Sequence, residues 1–335
     1  MRNIFFILIL FLVLAGTRAQ PNPSSAEENS PEKESRYFQN IRQLTFEGKN
    51  GEGYFSWDQK RIVFQSIRGI NPWYQIYSMT IEGTNLYRIS PGKGKTTCSF
   101  YHPNGKNLLF ASTHLTRSTW TEQPPAEKRG YSWEFDPHMD IFVGDLWGHH
   151  LIRLTDTPGY DAEASYSPDG KSICFTSERS GDKEIYVMDT QGRYVKQLTY
   201  AEGYDGGSFF SPDNKKVVFR GFRDAKNPRS CHIYMINRDG TNEIQLTTGS
   251  GLNWCPYFYP NGKTLIFSGT IPDTHNFELF WMSAEGGEPK RLTFSSTFDG
   301  LPVFSPDGKK VLWTSNRVGN QSNLFIADFV PPEEK

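Results

Sequence analysis

A four-residue turn signature returns in register six times along this chain, and few folds are open to a sequence built that way. Its copies are Ser56-Trp57-Asp58-Gln59, His102-Pro103-Asn104-Gly105, Ser167-Pro168-Asp169-Gly170, Ser211-Pro212-Asp213-Asn214, Tyr259-Pro260-Asn261-Gly262 and Ser305-Pro306-Asp307-Gly308. Proline presets φ, aspartate bonds its own backbone and glycine accepts a positive φ, so each copy reads as a tight turn. The successive spacings are 46, 65, 44, 48 and 46 residues. That is the period of a four-stranded propeller blade, with one blade enlarged by about 20 residues. The expected fold is all-β, a six-bladed β-propeller of four-stranded antiparallel blades.

A second repeat indicates how such a ring closes. Leu-Thr occurs at Leu44-Thr45, Leu154-Thr155, Leu198-Thr199, Leu246-Thr247 and Leu292-Thr293, with Ile89-Ser90 as a degenerate copy. Each lies just ahead of an inner strand and so marks the end of an outermost strand. The first copy precedes the first turn signature and none follows Asp328. The N-terminal strand, placed at Ile41 to Thr45, is therefore expected to complete the sixth blade, which protects the edges of the ring. Between the two repeats, aromatic and β-branched runs such as Glu184-Ile185-Tyr186-Val187-Met188 read as third strands packed on both faces.

The ends divide differently. Met1 to Asn3 is a short basic start, Ile4 to Ala15 is apolar, and small residues precede a break after Ala19. This is the pattern of a signal peptide over residues 1–19, since the apolar run is shorter than the roughly 20 residues that span a bilayer. Residues 20–37 read as a disordered linker, rich in Pro, Ser, Glu and Asn. The propeller is expected over 38–330 and a short tail over 331–335. The protein is thus expected to be exported, periplasmic or secreted, with no transmembrane segment after cleavage, and monomeric. With 36 basic against 37 acidic residues, no global field argues for nucleic acid. Cys98, Cys174, Cys231 and Cys255 fall in four different blades and read as packed thiols rather than a disulfide framework.

The Leu-Thr, Ser-Pro-Asp-Gly and Ile-Tyr-Val-Met-Asp elements together resemble the propeller repeat of TolB-like proteins, named for the periplasmic component of the Tol-Pal envelope system. The resemblance covers residues 41 to 330. TolB carries an α/β domain ahead of its propeller, and here a short polar segment stands at that place. What the resemblance implies is a propeller that engages an envelope partner.

Candidate site residues follow from propeller topology, which puts the inter-blade connections and the variable loops on one face. Six residues before each turn signature, at the entrance of each inner strand, stand Asn50, Thr96, Asp161, Asp205, Asn253 and Asp299, with Glu52 and Glu163 two residues further on. At the far end of each second strand come Arg68, His114, Arg179, Arg223, Ile271 and Arg317. These are expected to form a partly acidic funnel at the channel mouth, inside a basic ring. Such a funnel suits a peptide terminus or a sugar, and an envelope protein, peptide or glycan is the expected partner. The same residues suit Asp–Arg pairs that hold the ring together, and this structural reading ranks ahead of recognition. No cofactor is expected, although Asp161, Glu163, Asp205 and Asp299 leave room for Ca²⁺ in the mouth. A loop from Thr116 to Pro137 adds Trp120, Tyr131, Trp133 and Phe135. No Gly-x-Ser-x-Gly nucleophile context is present. The enzyme alternative is a channel-sited, metal-assisted carbohydrate hydrolase or lyase with Asp161, Glu163 and Asp205 as acid/base groups, and its mark would be a carboxyl of raised pKa in a dry pocket.

Overall fold

The computed structural model describes residues 31–116, 135–227, 230–271 and 276–333, and its strands form six four-stranded antiparallel sheets. Five sheets run in chain order. The sixth joins Asp299–Phe304, Lys310–Ser315 and Asn323–Phe329 to the N-terminal strand Phe38–Gln43, which closes the ring. That strand begins three residues earlier than Ile41. Phe38, 2% exposed, anchors it through ring contacts to Trp313 at 5.5 Å and Phe329 at 5.8 Å.

The two repeats have local causes. In the turn signature the serine hydroxyl donates to the aspartate (2.6 Å in Ser167–Asp169) and accepts from the backbone N–H five residues on (2.9 Å from Ser172). The fourth position is left-handed in every copy, including Gln59 at φ 59° and Asn214 at φ 62°. In the Leu-Thr element the leucine N–H donates to the second residue of the third strand, and the threonine hydroxyl accepts that same residue's N–H. Leu198 and Thr199 bracket Ile185 in this way at 2.8 Å each. The same hydroxyl contact recurs in the other five blades, with Ser90 standing in for threonine in the first.

The core is repetitive as well. Phe64, Phe110, Phe175, Phe219, Phe267 and Trp313 occupy one register position on the six second strands and are fully buried. Each pairs across the ladder with an aromatic residue of the third strand, as Phe175 does with Tyr186 at 5.8 Å between ring centroids. Burying such rings contributes roughly 1.5–3 kcal/mol apiece, so the ladder supplies much of the packing between blades.

Ahead of the ring, residues 31–37, the last part of the segment expected as a linker, are placed against the propeller. Pro31–Glu34 is a helical turn, and the buried Glu34 carboxylate accepts from Arg317 at 2.7 Å, a charge-assisted contact that the polar composition did not reveal. The expected signal peptide and the first part of the linker lie outside the described residues. All four cysteines are free.

Candidate functional site

The entrance residues and the basic residues do come together, but inside the blades. Arg179 Nη2 donates to both oxygens of Asp161 at 3.1 Å, and Arg223 donates to the two oxygens of Asp205 at 2.8 and 2.6 Å. Arg317 donates to Asp299 at 2.7 Å and Arg68 to Asn50 at 2.8 Å. Thr96 and His114 meet through the Ser112 hydroxyl, and the position opposite Asn253 holds the apolar Ile271. Each of these four guanidinium groups also lies on the aromatic pair of its own blade, with Arg179 at 5.2 Å from Phe175 and 5.1 Å from Tyr186.

The expectation of an open acidic ring at the mouth is thereby corrected. Asp161, Asp205 and Asp299 are at most 1% exposed. Burial raises all three carboxyls above the usual aspartate range, against the opposing pull of their arginines and hydroxyl partners. Nor do they converge on an ion. They sit in three different blades, and among the described residues no group of three or more His, Cys, Asp or Glu side chains is placed to hold a metal.

What faces the channel is decided one step further along each inner strand. A β-bulge interrupts all six, and the residue two after the entrance position is left-handed in every one: Glu52, Cys98, Glu163, Gly207, Cys255 and Leu301, with φ between 51° and 60°. In a regular strand residues i and i+2 share a face. The bulge breaks that rule and turns the second side chain away from the entrance residue and toward the axis. Because all six blades share it, the bulge belongs to the fold, and what differs is the group it presents.

Glu163 and Glu52 are presented to very different surroundings. Glu163 accepts from Tyr204 Oη at 2.8 Å, Gly207 N at 2.7 Å, Thr176 Oγ1 at 3.0 Å and Arg220 Nη2 at 2.9 Å. Arg220 also donates to Tyr204 Oη. The guanidinium reaches the axis only because blade 4 has glycine at the bulge: a Cβ on Gly207 would stand 1.9 Å from Arg220 Nη1. At the position of Arg220 the other second strands carry Gln65, Ala111, Thr176, Ser268 and Thr314. Among the described residues, the Glu52 carboxyl receives a 3.3 Å hydrogen bond from Tyr54 Oη and a 3.7 Å contact from the Cys98 thiol. Burial first, and the neighbouring charge of Glu163 second, push its carboxyl up to about 7. Blades 1 and 3 share no junction, so this coupling places both carboxyls near the axis.

Immediately below this layer the channel is shut. Tyr54, Phe100, Phe209 and Tyr257 come from four inner strands, two residues after their bulge positions. Tyr54 of blade 1 lies 5.8 Å from Phe209 of blade 4 on the opposite side of the ring, and Phe100 and Tyr257 pack at 5.0 Å on either side. The recess is therefore blind, with an aromatic floor and a polar layer above it that carries one carboxyl, Glu52, without an ion pair among the described residues. On the variable-loop side Phe135 packs edge-on against Tyr160 and Tyr204 at 5.2 and 4.8 Å. The other aromatic residues expected in that loop lie outside the described residues. His149 and His150 are exposed in the turn between the third and fourth strands of blade 2.

Of the expected set, then, only Glu52 and Glu163 reach the channel. Cys98, Cys255, Tyr54, Tyr204 and Arg220 join them, and the Gly206-Gly207 pair was the signal that could have revealed Arg220.

Comparison with known proteins agrees with this architecture. A family model described as the TolB beta propeller domain matches residues 123–268 and 210–329. The Tol-Pal system protein TolB of Bordetella pertussis is 53% identical over 34 residues, a stretch that covers 10% of this chain and 8% of that protein. Among solved structures, a putative TolB from Agrobacterium tumefaciens superposes with a TM-score of 0.60 at 17% identity, covering 87% of this chain and 97% of that one. An oligogalacturonate lyase from Vibrio parahaemolyticus superposes with a TM-score of 0.57, also at 17% identity, covering 88% and 81%. At such identities the likeness is one of fold.

Proposed function

From the chain's membership of the TolB β-propeller family, we propose that it is an exported binding module that takes an envelope protein, peptide or glycan on its variable-loop face, with the blind channel receiving part of that partner. One observation carries the reading. Among the carboxylates of the inner strands, Asp161, Glu163, Asp205 and Asp299 each form an ion pair with an arginine, whereas Glu52 forms none among the described residues, and Arg220, paired with Glu163, acts on it only as a neighbouring charge. A donor group on a partner would satisfy it. Export rests on the first 19 residues and on the family.

The test compares partners captured from envelope extracts by the wild type, by Glu52→Gln and by Asp161→Asn/Arg179→Ile. Loss of a partner with Glu52→Gln, but not with the blade-internal double variant, supports the reading. Retention of every partner by Glu52→Gln overturns it.

A second reading, chemistry on a carbohydrate in the channel, is favoured by the Glu52 carboxyl, pushed up to about 7, beside Glu163, which Arg220 and Tyr204 hold: two carboxyls in contrasting environments. It requires turnover of an oligosaccharide by the wild type that Glu52→Gln abolishes. A broad screen without turnover would remove it.

A further inference from the structure

The junctions between blades follow one plan. The N–H of the entrance residue of one blade donates to the residue just before the third strand of the preceding blade, as Asp161 does to Met139 at 3.0 Å, Asp205 to Lys183 at 2.8 Å and Asn50 to Ser322 at 3.0 Å. This places the first residue of the third strand beside the next blade's entrance residue, and in blade 5, whose third strand begins at Phe277, it is the second residue, Glu278, that faces Asp299. At the junction that closes the ring the two are amides, and Asn50 Nδ2 donates to Asn323 Oδ1 at 3.2 Å. At three other junctions the same places hold two acids: Asp140 with Asp161, Glu184 with Asp205, and Glu278 with Asp299.

Two acids in one buried junction need positive charge, and the supply differs. Between blades 2 and 3, Arg153 binds Asp140 at 2.7 Å and Arg179 binds Asp161, so two arginines meet two buried acids, with the exposed Asp156 a further and weaker negative neighbour of Asp140. Between blades 5 and 6, Arg291 binds Glu278 and Arg317 binds both Asp299 and Glu34, so two arginines meet three acids. Between blades 3 and 4, Arg223 is shared by Asp205 and Glu243, Gln197 stands where blade 2 has Arg153, and Asp182 adds a further negative charge beside Glu184. The two deficient junctions are also the two where a buried glutamate oxygen, Glu184 Oε2 or Glu278 Oε2, has no hydrogen-bond partner among the described residues. The Thr199 and Thr293 hydroxyls, which also face these glutamates, already lower their pKa values and do not remove the deficit.

We propose that each of these two junctions binds one proton between its glutamate and aspartate, in the place that the Asn50 amide hydrogen fills at the ring closure, and that the propeller is thereby a proton-sensitive ring that loosens as the pH rises. Desolvation, the largest cause, pushes both Glu184 and Glu278 up to about 8, in agreement with the geometry. The sign follows from linkage. A proton held when folded and released when unfolded makes stability fall as pH rises from the ordinary glutamate value through the folded one.

The experiment follows the denaturant midpoint of the full chain from pH 5 to pH 9 for wild type, Glu184→Gln, Glu278→Gln and the double variant. Glu52 titrates in the same window in all four, so the readout is the difference between profiles. Wild type should lose midpoint steadily above pH 5. Each single variant should remove one proton's worth of slope and the double variant two, becoming more stable than wild type above pH 8. Profiles as steep in the double variant as in the wild type overturn the proposal. Should the variants not fold, infrared spectra of Glu52→Gln at pH 7, which lacks the channel carboxyl that titrates in the same range, decide it: a carbonyl stretch of protonated carboxylic acids supports the proposal, and its absence overturns it.

Discussion

Removing Arg179 alone tests whether the blade clamps act by attraction or by avoiding a stranded charge. Asp161 is 1% exposed, and without the guanidinium it keeps the Ser177 hydroxyl of its own blade and the Thr155 hydroxyl of blade 2 among the described residues. Leaving a buried charge unpaired costs about 3–5 kcal/mol. In a propeller of this size that corresponds to a fall in melting temperature of about 6–10 °C, at roughly 2 °C per kcal/mol. The chain carries its own control, since blade 5 has Asn253 and Ile271 in the same two places. Grafting that pair as Asp161→Asn/Arg179→Ile removes both charges and keeps an apolar side chain against Phe175 and Tyr186, so it should stay within about 1 kcal/mol of wild type. Burial already raises Asp161, and losing Arg179 raises it further, so the folded variant holds a proton that the unfolded chain releases. Its deficit should therefore be large at pH 8 and shrink toward pH 5. Thermal unfolding followed by circular dichroism at both pH values measures this. A loss under about 1 kcal/mol for Arg179→Ala at pH 8, or a double variant as damaged as the single one, would refute the reasoning.

Two further outcomes follow from the channel. Gly207→Ala should cost about 3 kcal/mol, because it adds a Cβ to a left-handed residue and displaces Arg220 from Glu163, whereas Gly105→Ala, left-handed with open space around it, should cost about 1 kcal/mol; denaturant midpoints compare the two. Burial pushes the Cys174 thiol up to about 11 and raises Cys98, Cys231 and Cys255 as well, so alkylation at pH 8 followed by mass spectrometry should label none of the four until the ring unfolds.

The fold was legible because its two repeats act within a few residues or within one blade. The Ser-Pro-Asp-Gly serine bonds a backbone five residues away, and the Leu-Thr threonine bonds a strand two elements back in the same sheet, so the spacing alone carries the information. The clamps were half legible. The sequence spacing of 18 between Asp161 and Arg179, or Asp205 and Arg223, announces a pair but not which way it faces, and a funnel and a blade-internal bond both remain open until the bulge is known. The channel was hidden for a deeper reason. Its six register positions hold Glu, Cys, Glu, Gly, Cys and Leu, which share a backbone conformation and no chemistry, so no residue-type pattern marks them. Their contents become meaningful only in combination: a glycine in blade 4 admits an arginine, the arginine holds Glu163, and the charge on Glu163 adds to burial in pushing the Glu52 carboxyl up to about 7. The part of this propeller that differs from blade to blade is thus the part where its function is to be sought, because the repeated features are already accounted for by closing the ring.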